Sequence, residues 1–252
     1  MTDYPIADGS EDRRGPLIGT SDRTASRARR ARSVEAAALA GIAYSVLTVA
    51  ALARLSRFPS LALGEAELTA WFADDAHKAS LIGALALASV GSVAFLWFVA
   101  VIRRRLGDLE DKFFSTVFLG SGIVYVAVWL IGAAGLAAPA VAMTQLDAAT
   151  ISPASASMAG GIGGALILVV APRLQAVFVF TTSTVIMRSR VLPSWLAILG
   201  YLSGLMLFVV PLITQPVGLL FPGWVLTVSV VMLVKRPDRR LGLPAPDGGE
   251  SG

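Results

Sequence analysis

Three polar side chains within one long apolar run have the chemistry to bind a ligand. The stretch 164–187, GALILVVAPRLQAVFVFTTSTVIM, contains Arg173, Gln175 and Thr181. A guanidinium and an amide donate hydrogen bonds to polar or anionic groups, and Pro172 beside them bends a helix and frees a backbone carbonyl. Because charged groups inside a membrane are costly and often functional, this pattern predicts a ligand-binding site at these three residues.

A structural interpretation of the same residues stays open. A long arginine side chain near the end of a membrane span can extend to the lipid headgroups, in which case Arg173 marks a boundary. In the functional interpretation, Arg173 instead faces a polar cavity, where it binds an anionic group or pairs with a loop carboxylate such as that of Asp147, Asp74 or Glu67. A threonine such as Thr181 often donates to the carbonyl one helical turn back, and therefore supports helix packing without binding anything.

Catalysis and metal binding have little support in this sequence. The chain has no cysteine, and its single histidine, His77, lies beside Asp74 and Asp75. These groups have the types needed for a metal site or a pH-sensitive site, but acidic residues at a helix start also cap that helix. No GxSxG motif accompanies the histidine. We therefore expect a protein that is not an enzyme, with no catalytic residue, no metal and no cofactor.

The composition indicates a membrane protein. Of the 252 residues, 55% are hydrophobic and 15% are charged, and the mean hydropathy is +0.71. Long continuous apolar runs favour membrane helices over a β-barrel, whose strands alternate in polarity. The net charge of +4 and the pI near 9.8 are compatible with nucleic-acid binding. The basic residues, however, lie beside the apolar runs, so we expect the lipid bilayer as partner and no nucleic acid.

The apolar runs predict an all-α bundle of six transmembrane helices. Their approximate bounds are 34–53, 79–102, 113–138, 162–187, 193–211 and 216–234, and Pro139 is expected to end the third run. Residues 1–33 are polar and arginine-rich, which predicts a disordered basic cytoplasmic tail. The transmembrane domain is expected to cover 34–235, and 236–252 to form a short disordered cytoplasmic tail.

The distribution of basic residues predicts the orientation of the chain. All but four of the 21 lysines and arginines lie in the tails or in the connections that alternate with them, the exceptions being Arg54, Arg57, Lys78 and Arg173. Loops rich in lysine and arginine stay in the cytoplasm. We therefore expect a multi-pass protein of the cell membrane with both termini in the cytoplasm.

Two longer connections are expected on the outer side. In GEAELTAWFADDAHK, the residues Leu68, Trp71 and Phe72 share one helical face, which predicts a short interfacial helix. The pattern is imperfect because Glu65 and Asp75 return to the apolar face. The connection 140–161 is rich in small residues and is expected to be weakly structured.

Glycine pairs spaced by four residues predict close helix packing. Gly160 with Gly164 and Gly200 with Gly204 form GxxxG motifs, which let two helices approach within a bundle or between subunits. The sequence is therefore compatible with a homo-oligomer or with a partner membrane subunit.

Three further stretches carry a resemblance to a known family. They are RVLPSWLAILGYLSGL in the fifth span, GEAELTAWFADD before the second and LWFVAVIRRRL at its end. With them, the segment 34–235 resembles a group of multi-span bacterial membrane proteins, mostly actinobacterial, that is catalogued as a domain of unknown function. The resemblance implies six helices and a bacterial cell membrane, and it implies no activity and no catalytic residues.

Two functions are compatible with these observations. The first is binding or transport of a small anionic or lipidic molecule at Arg173, Gln175 and Thr181. The second is the role of a non-catalytic interaction or accessory subunit in the membrane.

Overall fold

The protein is almost entirely helical in the part of the chain that the structure describes. The structure is a computed structural model, and it describes residues 19–59, 64–106, 112–145, 151–189, 192–210 and 215–234. The helices are α1 Gly19–Leu55, α2 Glu65–Ala73, α3 Asp75–Leu106, α4 Lys112–Gln145, α5 Pro153–Ala165, α6 Ala171–Ser189, α7 Ser194–Val209, α8 Gln215–Gly218 and α9 Leu220–Val234. The all-α prediction is confirmed for these ranges.

The first helix begins well before the first apolar run. Because α1 starts at Gly19, residues 19–33, which the composition predicted to be disordered, belong to a helix. This segment is rich in alanine and arginine, both strong helix formers, and it contains no proline, so the apolar helix can propagate backwards through it. Residues 1–18 and 236–252 of the two predicted tails lie outside the described residues.

The prediction of a weakly structured connection over 140–161 is wrong for most of its length. α4 continues through Pro139 to Gln145, because a membrane helix tolerates the lost hydrogen bond where neighbouring groups compensate for it. α5 begins at Pro153, the first helical position, and its N-cap is Ser152. The Ser152 hydroxyl oxygen accepts a hydrogen bond from the backbone N–H of Ser155 at 3.2 Å.

A π-helical segment, Leu166–Val170, joins α5 to α6 directly before Pro172. The backbone N–H of Ala171 donates to the carbonyl of Leu166, five residues back. A proline ring clashes with the carbonyl four residues back in a regular α-helix, and the wider π turn relieves this clash. Pro172 therefore follows a π-bulge within one long helical segment, Pro153–Ser189, of 37 residues.

Six helices form a closed ring. α1 packs against α3 and α9, α3 against α4, α4 against α6, α6 against α7, and α7 against α9. α5 packs against α4, and the short helix α2 lies against α3 and α5. We refer to the side of the ring that carries α2 as the α2 end and to the other side as the opposite end.

Aromatic side chains fill the centre of the ring. Phe95 of α3 lies at the middle, and its ring centroid is 4.8 Å from that of Tyr44, 5.2 Å from that of Phe178 and 5.4 Å from that of Tyr125. Phe221 of α9 is 5.7 Å from Phe95 on another side. All five side chains are fully buried, so five helices of the ring are joined by one continuous aromatic cluster.

The outer surface of the bundle is apolar. Large hydrophobic side chains such as Trp97, Leu202 and Phe208 are more than half exposed, which is expected of residues that face lipid. Among the described residues, four segments are long and apolar enough to cross a membrane, namely Glu35–Leu55, Asp75–Arg103, Thr116–Thr144 and Pro153–Ser189. These features indicate a membrane protein.

Candidate functional site

Arg173 connects the π-bulge to the end of α7. Its Nη1 donates to the carbonyl of Val169 at 2.6 Å, and its Nη2 donates to the carbonyl of Val210 at 3.2 Å. Val210 is the C-cap residue of α7, where unpaired carbonyls favour a nearby cation. These contacts place Arg173 level with the α2 end of α7. This position supports the interpretation that Arg173 marks a boundary of the apolar layer.

The carboxylates considered as partners of Arg173 have other contacts or lie outside the described residues. The Oε2 atom of Glu67 accepts from the backbone N–H of Gly64 at 3.4 Å. Asp74 Oδ1 accepts from the backbone N–H of Ala76 at 2.8 Å, which caps the start of α3. Asp147 is not among the described residues.

Gln175 lies on a different face of α6 from Arg173. Two residues rotate a helix by about 200°, so the two side chains point in nearly opposite directions. The Gln175 side chain is buried and forms a hydrogen bond with Tyr125. The hydroxyl oxygens of Tyr125 and Tyr44 are 2.7 Å apart. We call Tyr44, Tyr125 and Gln175 the tyrosine cluster; it connects α1, α4 and α6 within the aromatic centre of the ring.

The threonines of α6 donate to their own helix. The hydroxyl of Thr181 donates to the carbonyl of Val177 at 2.8 Å, and that of Thr182 donates to Phe178 at 2.7 Å. Thr184 repeats this contact at 2.9 Å to Phe180 and also lies 2.8 Å from the hydroxyl of Tyr201. These bonds are typical of threonines at helix packing interfaces.

His77 stabilises the junction between α2 and α3. Its ring stacks on Trp71 with centroids 4.3 Å apart, and its Nδ1 donates to the Trp71 carbonyl at 3.1 Å. Nδ1 is also 3.7 Å from Asp74 Oδ2, and Asp75 forms an ion pair with Lys78 at 2.8 Å. In the described ranges, no group of three or more histidine, cysteine or acidic side chains is placed to hold a metal. The geometry supports a structural role for this junction.

An apolar cavity of about 150 Å³ opens at the α2 end. It lies between α2, the last turn of α4 and the first turn of α5, and it is partly open to the surface. Its lining residues are Leu68, Thr69, Phe72, Ala73, Met143, Ile151, Pro153 and Ala156. We call this cavity the α2 cleft. Its apolar lining and partial opening suit the hydrocarbon part of a small molecule.

The three predicted site residues therefore lie in three different environments. Arg173 contacts the end of α7, Gln175 joins the tyrosine cluster, and Thr181 bonds within α6. Their role in ligand binding stays a prediction. Sequence reasoning missed the α2 cleft, although it found the apolar face of α2 that lines it. The other walls are formed by helical turns of α4 and α5 that we expected to be an irregular connection.

No protein-family model matches the chain, and neither a curated protein nor a solved structure is significantly similar to it. The resemblance of its segment 34–235 to a family of bacterial membrane proteins stays a prediction.

Proposed function

We propose that the protein crosses the plasma membrane of a bacterium six times, with both termini in the cytoplasm. The four long segments supply four of these spans. The fifth is α7, and the sixth is formed by α8 together with α9. α7 has 16 residues and is about 24 Å long, and the range from Gln215 to Val234 extends about 30 Å. Both lengths are close to the thickness of the hydrocarbon layer, which supports six spans. The positive-inside rule then places the α2 end outside.

We also propose that part of the protein forms a lobe above the outer membrane surface. α4 has 34 residues and is about 50 Å long, whereas the hydrocarbon layer is about 30 Å thick. Its partner, the segment Pro153–Ser189, is of similar length. At the opposite end, the segment Pro153–Ser189 ends near Arg188, where the chain continues into α7. The part of both helices that exceeds the thickness of the hydrocarbon layer therefore lies at the α2 end. The α2 cleft belongs to this outer lobe.

The function that the geometry supports best is binding of a small lipidic molecule in the α2 cleft. The observation that carries this proposal is the cavity itself, which is lined mainly by apolar side chains of three helices. A cavity of this size holds a benzene-sized group, so it accommodates a short hydrocarbon chain and no complete phospholipid. Its position beside the outer membrane surface gives amphiphilic molecules direct access.

Binding fits this structure better than passage through the bundle. The aromatic cluster around Phe95 occupies the centre of the ring. The buried hydroxyls of Thr181 and Thr182 donate to backbone carbonyls of their own helix, so they do not form a polar path for a solute. We therefore propose a binding protein with no catalytic role.

A short alcohol tests this proposal. We expect 1-hexanol to bind the protein in lipid nanodiscs above the signal of empty nanodiscs, measured by saturation-transfer NMR. Thr69→Phe introduces a bulky ring at the cleft from an exposed position. Losing the burial of two methylene groups, at about 0.8 kcal/mol each, weakens binding about 15-fold.

The matched control is Ala70→Phe, which adds a phenyl ring to another face of α2, away from the cleft. It should leave hexanol binding unchanged. Equal binding to all three proteins, or no binding above empty nanodiscs, would reject the α2 cleft as a ligand site.

A second candidate function is that of an accessory subunit. Met158 and Ile162 lie four residues apart on α5 and are 69% and 52% exposed. If α5 stands above the membrane, this apolar pair faces water, which is typical of a surface that contacts another protein. Native electrophoresis of the protein purified from its own host tests this function. A stable complex that Met158→Lys dissociates would support it, and a monomer would contradict it.

A further inference from the structure

One face of α2 is mainly apolar, and the charged residue on it is the first residue of the helix, Glu65. Four residues of α2 line the cleft, and they recur with the spacing of a single helical face: Leu68, Thr69, Phe72 and Ala73. Glu65 lies on the same face, one turn before Leu68 and Thr69, and it is exposed. Glu65 is one of the two residues, with Asp75, that make the amphipathic pattern of the sequence imperfect. Helical periodicity therefore puts Glu65 on the cleft-lining face of α2, one turn beyond the lining residues.

The segment of the chain that contains α2 is predominantly negative. Between Gly64 and Lys78 the chain carries four carboxylates and one lysine. That lysine already contacts Asp75, because its Nζ lies 2.8 Å from Asp75 Oδ1. Asp74 caps α3, and Glu67 accepts from Gly64 on a different face of α2. Of these four acids, Glu65 is the one that shares a helical face with the cleft-lining residues.

We propose that the α2 cleft binds a cationic amphiphile, with its short hydrocarbon chain in the cavity and its ammonium head beside Glu65. This inference rests on the proposed function, because it assigns the head group of a ligand whose chain the cavity holds. An anionic head at the same place would be repelled by Glu65, whereas an ammonium head is attracted.

The hydrocarbon part of this ligand is short. About 150 Å³ is enough for a group the size of benzene, and therefore for a chain of about six carbon atoms. The cleft is partly open, so a longer chain is accommodated only if its remainder lies outside the cavity.

Three six-carbon probes with different head groups test this inference: hexyltrimethylammonium, 1-hexanol and hexyl sulfate. We expect the ammonium to bind the protein in nanodiscs of uncharged lipid about two to five times more tightly than hexanol, and the sulfate to bind more weakly than hexanol. Glu65→Gln should remove the advantage of the ammonium and leave the affinity for hexanol unchanged. Raising the salt concentration should reduce the same advantage in the unmodified protein.

The matched control is Glu67→Gln, which removes the same charge from the same helix on a different face. It should preserve most of the ammonium preference, because a local contact and not the total charge of the lobe is responsible. If hexanol fails to bind, the proposed function is wrong. If hexanol binds but the three probes bind equally, or the two glutamine variants behave alike, the cleft is a binding site and the assignment of a cationic head is wrong.

Discussion

At the scale of single residues, the tyrosine cluster joins three helices at the centre of the ring, through the buried Gln175 and the hydroxyls of Tyr125 and Tyr44. Tyr44 and Tyr125 are separated by 81 residues, and each looks like an ordinary aromatic residue of its own span. Their contact depends on the packing of α1 and α4 around Phe95, which no local pattern encodes. For Arg173 the sequence left a binding role and a boundary role open, and the carbonyls of Val169 and Val210 support the boundary role.

The tyrosine cluster predicts a measurable coupling between α1 and α4. In a double-mutant cycle of Tyr44→Phe and Tyr125→Phe, the two changes should be non-additive by about 0.6 kcal/mol, with about 1.7 kcal/mol as the upper value known for such bonds in membranes. The quantity to measure is the free energy of unfolding in mixed detergent micelles. Tyr44→Phe combined with Tyr201→Phe is the control pair, because Tyr201 contacts Thr184 instead. Additivity in the first cycle would mean that the two hydroxyls do not interact.

At the scale of helices, apolar run length located all the main segments but misplaced their ends near prolines. Pro139 lies inside α4, and Pro153 starts a helix. The position of a helix end near a proline depends on whether neighbouring helices replace the lost backbone hydrogen bond, and the length of an apolar run does not reveal this.

The spacing of the glycines predicted part of the helix packing. Gly200 and Gly204 do pack closely, against Ser183 and Phe180 of α6, whereas α5 approaches α4 through Gly163 and not Gly164.

Gly163 and Gly164 form a matched pair of sites that test the packing of α5 against α4. A methyl group at Gly163 would lie 2.7 Å from the carbonyl oxygen of Gly132 and 2.8 Å from the backbone nitrogen of Leu136, and backbone atoms cannot move aside easily. Gly163→Ala should therefore lower the free energy of unfolding by about 1–3 kcal/mol. At Gly164 a methyl group meets nothing within 4 Å, so Gly164→Ala should be neutral or stabilising. Similar losses in both variants would show that α4 and α5 do not cross at Gly163.

At the scale of the whole molecule, arginines lie near both ends of the apolar belt. At the α2 end the Arg54 guanidinium lies against Gly83 of α3, and Arg173 lies at the end of α7. At the opposite end α3 and α6 reach Arg103 and Arg188, both exposed. The path along α3 from Gly83 to Arg103 is about 30 Å, the thickness of the hydrocarbon layer. Composition and charge predicted the membrane character, whereas the proposed outer lobe is argued from the lengths of α4 and of the segment Pro153–Ser189 and from the packing of α4 against α5.

The orientation of the six proposed spans can be tested with single cysteines, because the chain contains none of its own. Ser155 near the start of α5 and Ser194 at the start of α7 are both exposed and lie at opposite ends of the bundle. In intact cells, an impermeant maleimide should label Ser155→Cys fully and Ser194→Cys only after permeabilisation. Glu67→Cys and Val234→Cys repeat the comparison at a second pair of exposed positions. Labelling of both ends from outside, or the reverse pattern, would overturn the proposed topology and with it the access of outer-leaflet amphiphiles to the α2 cleft.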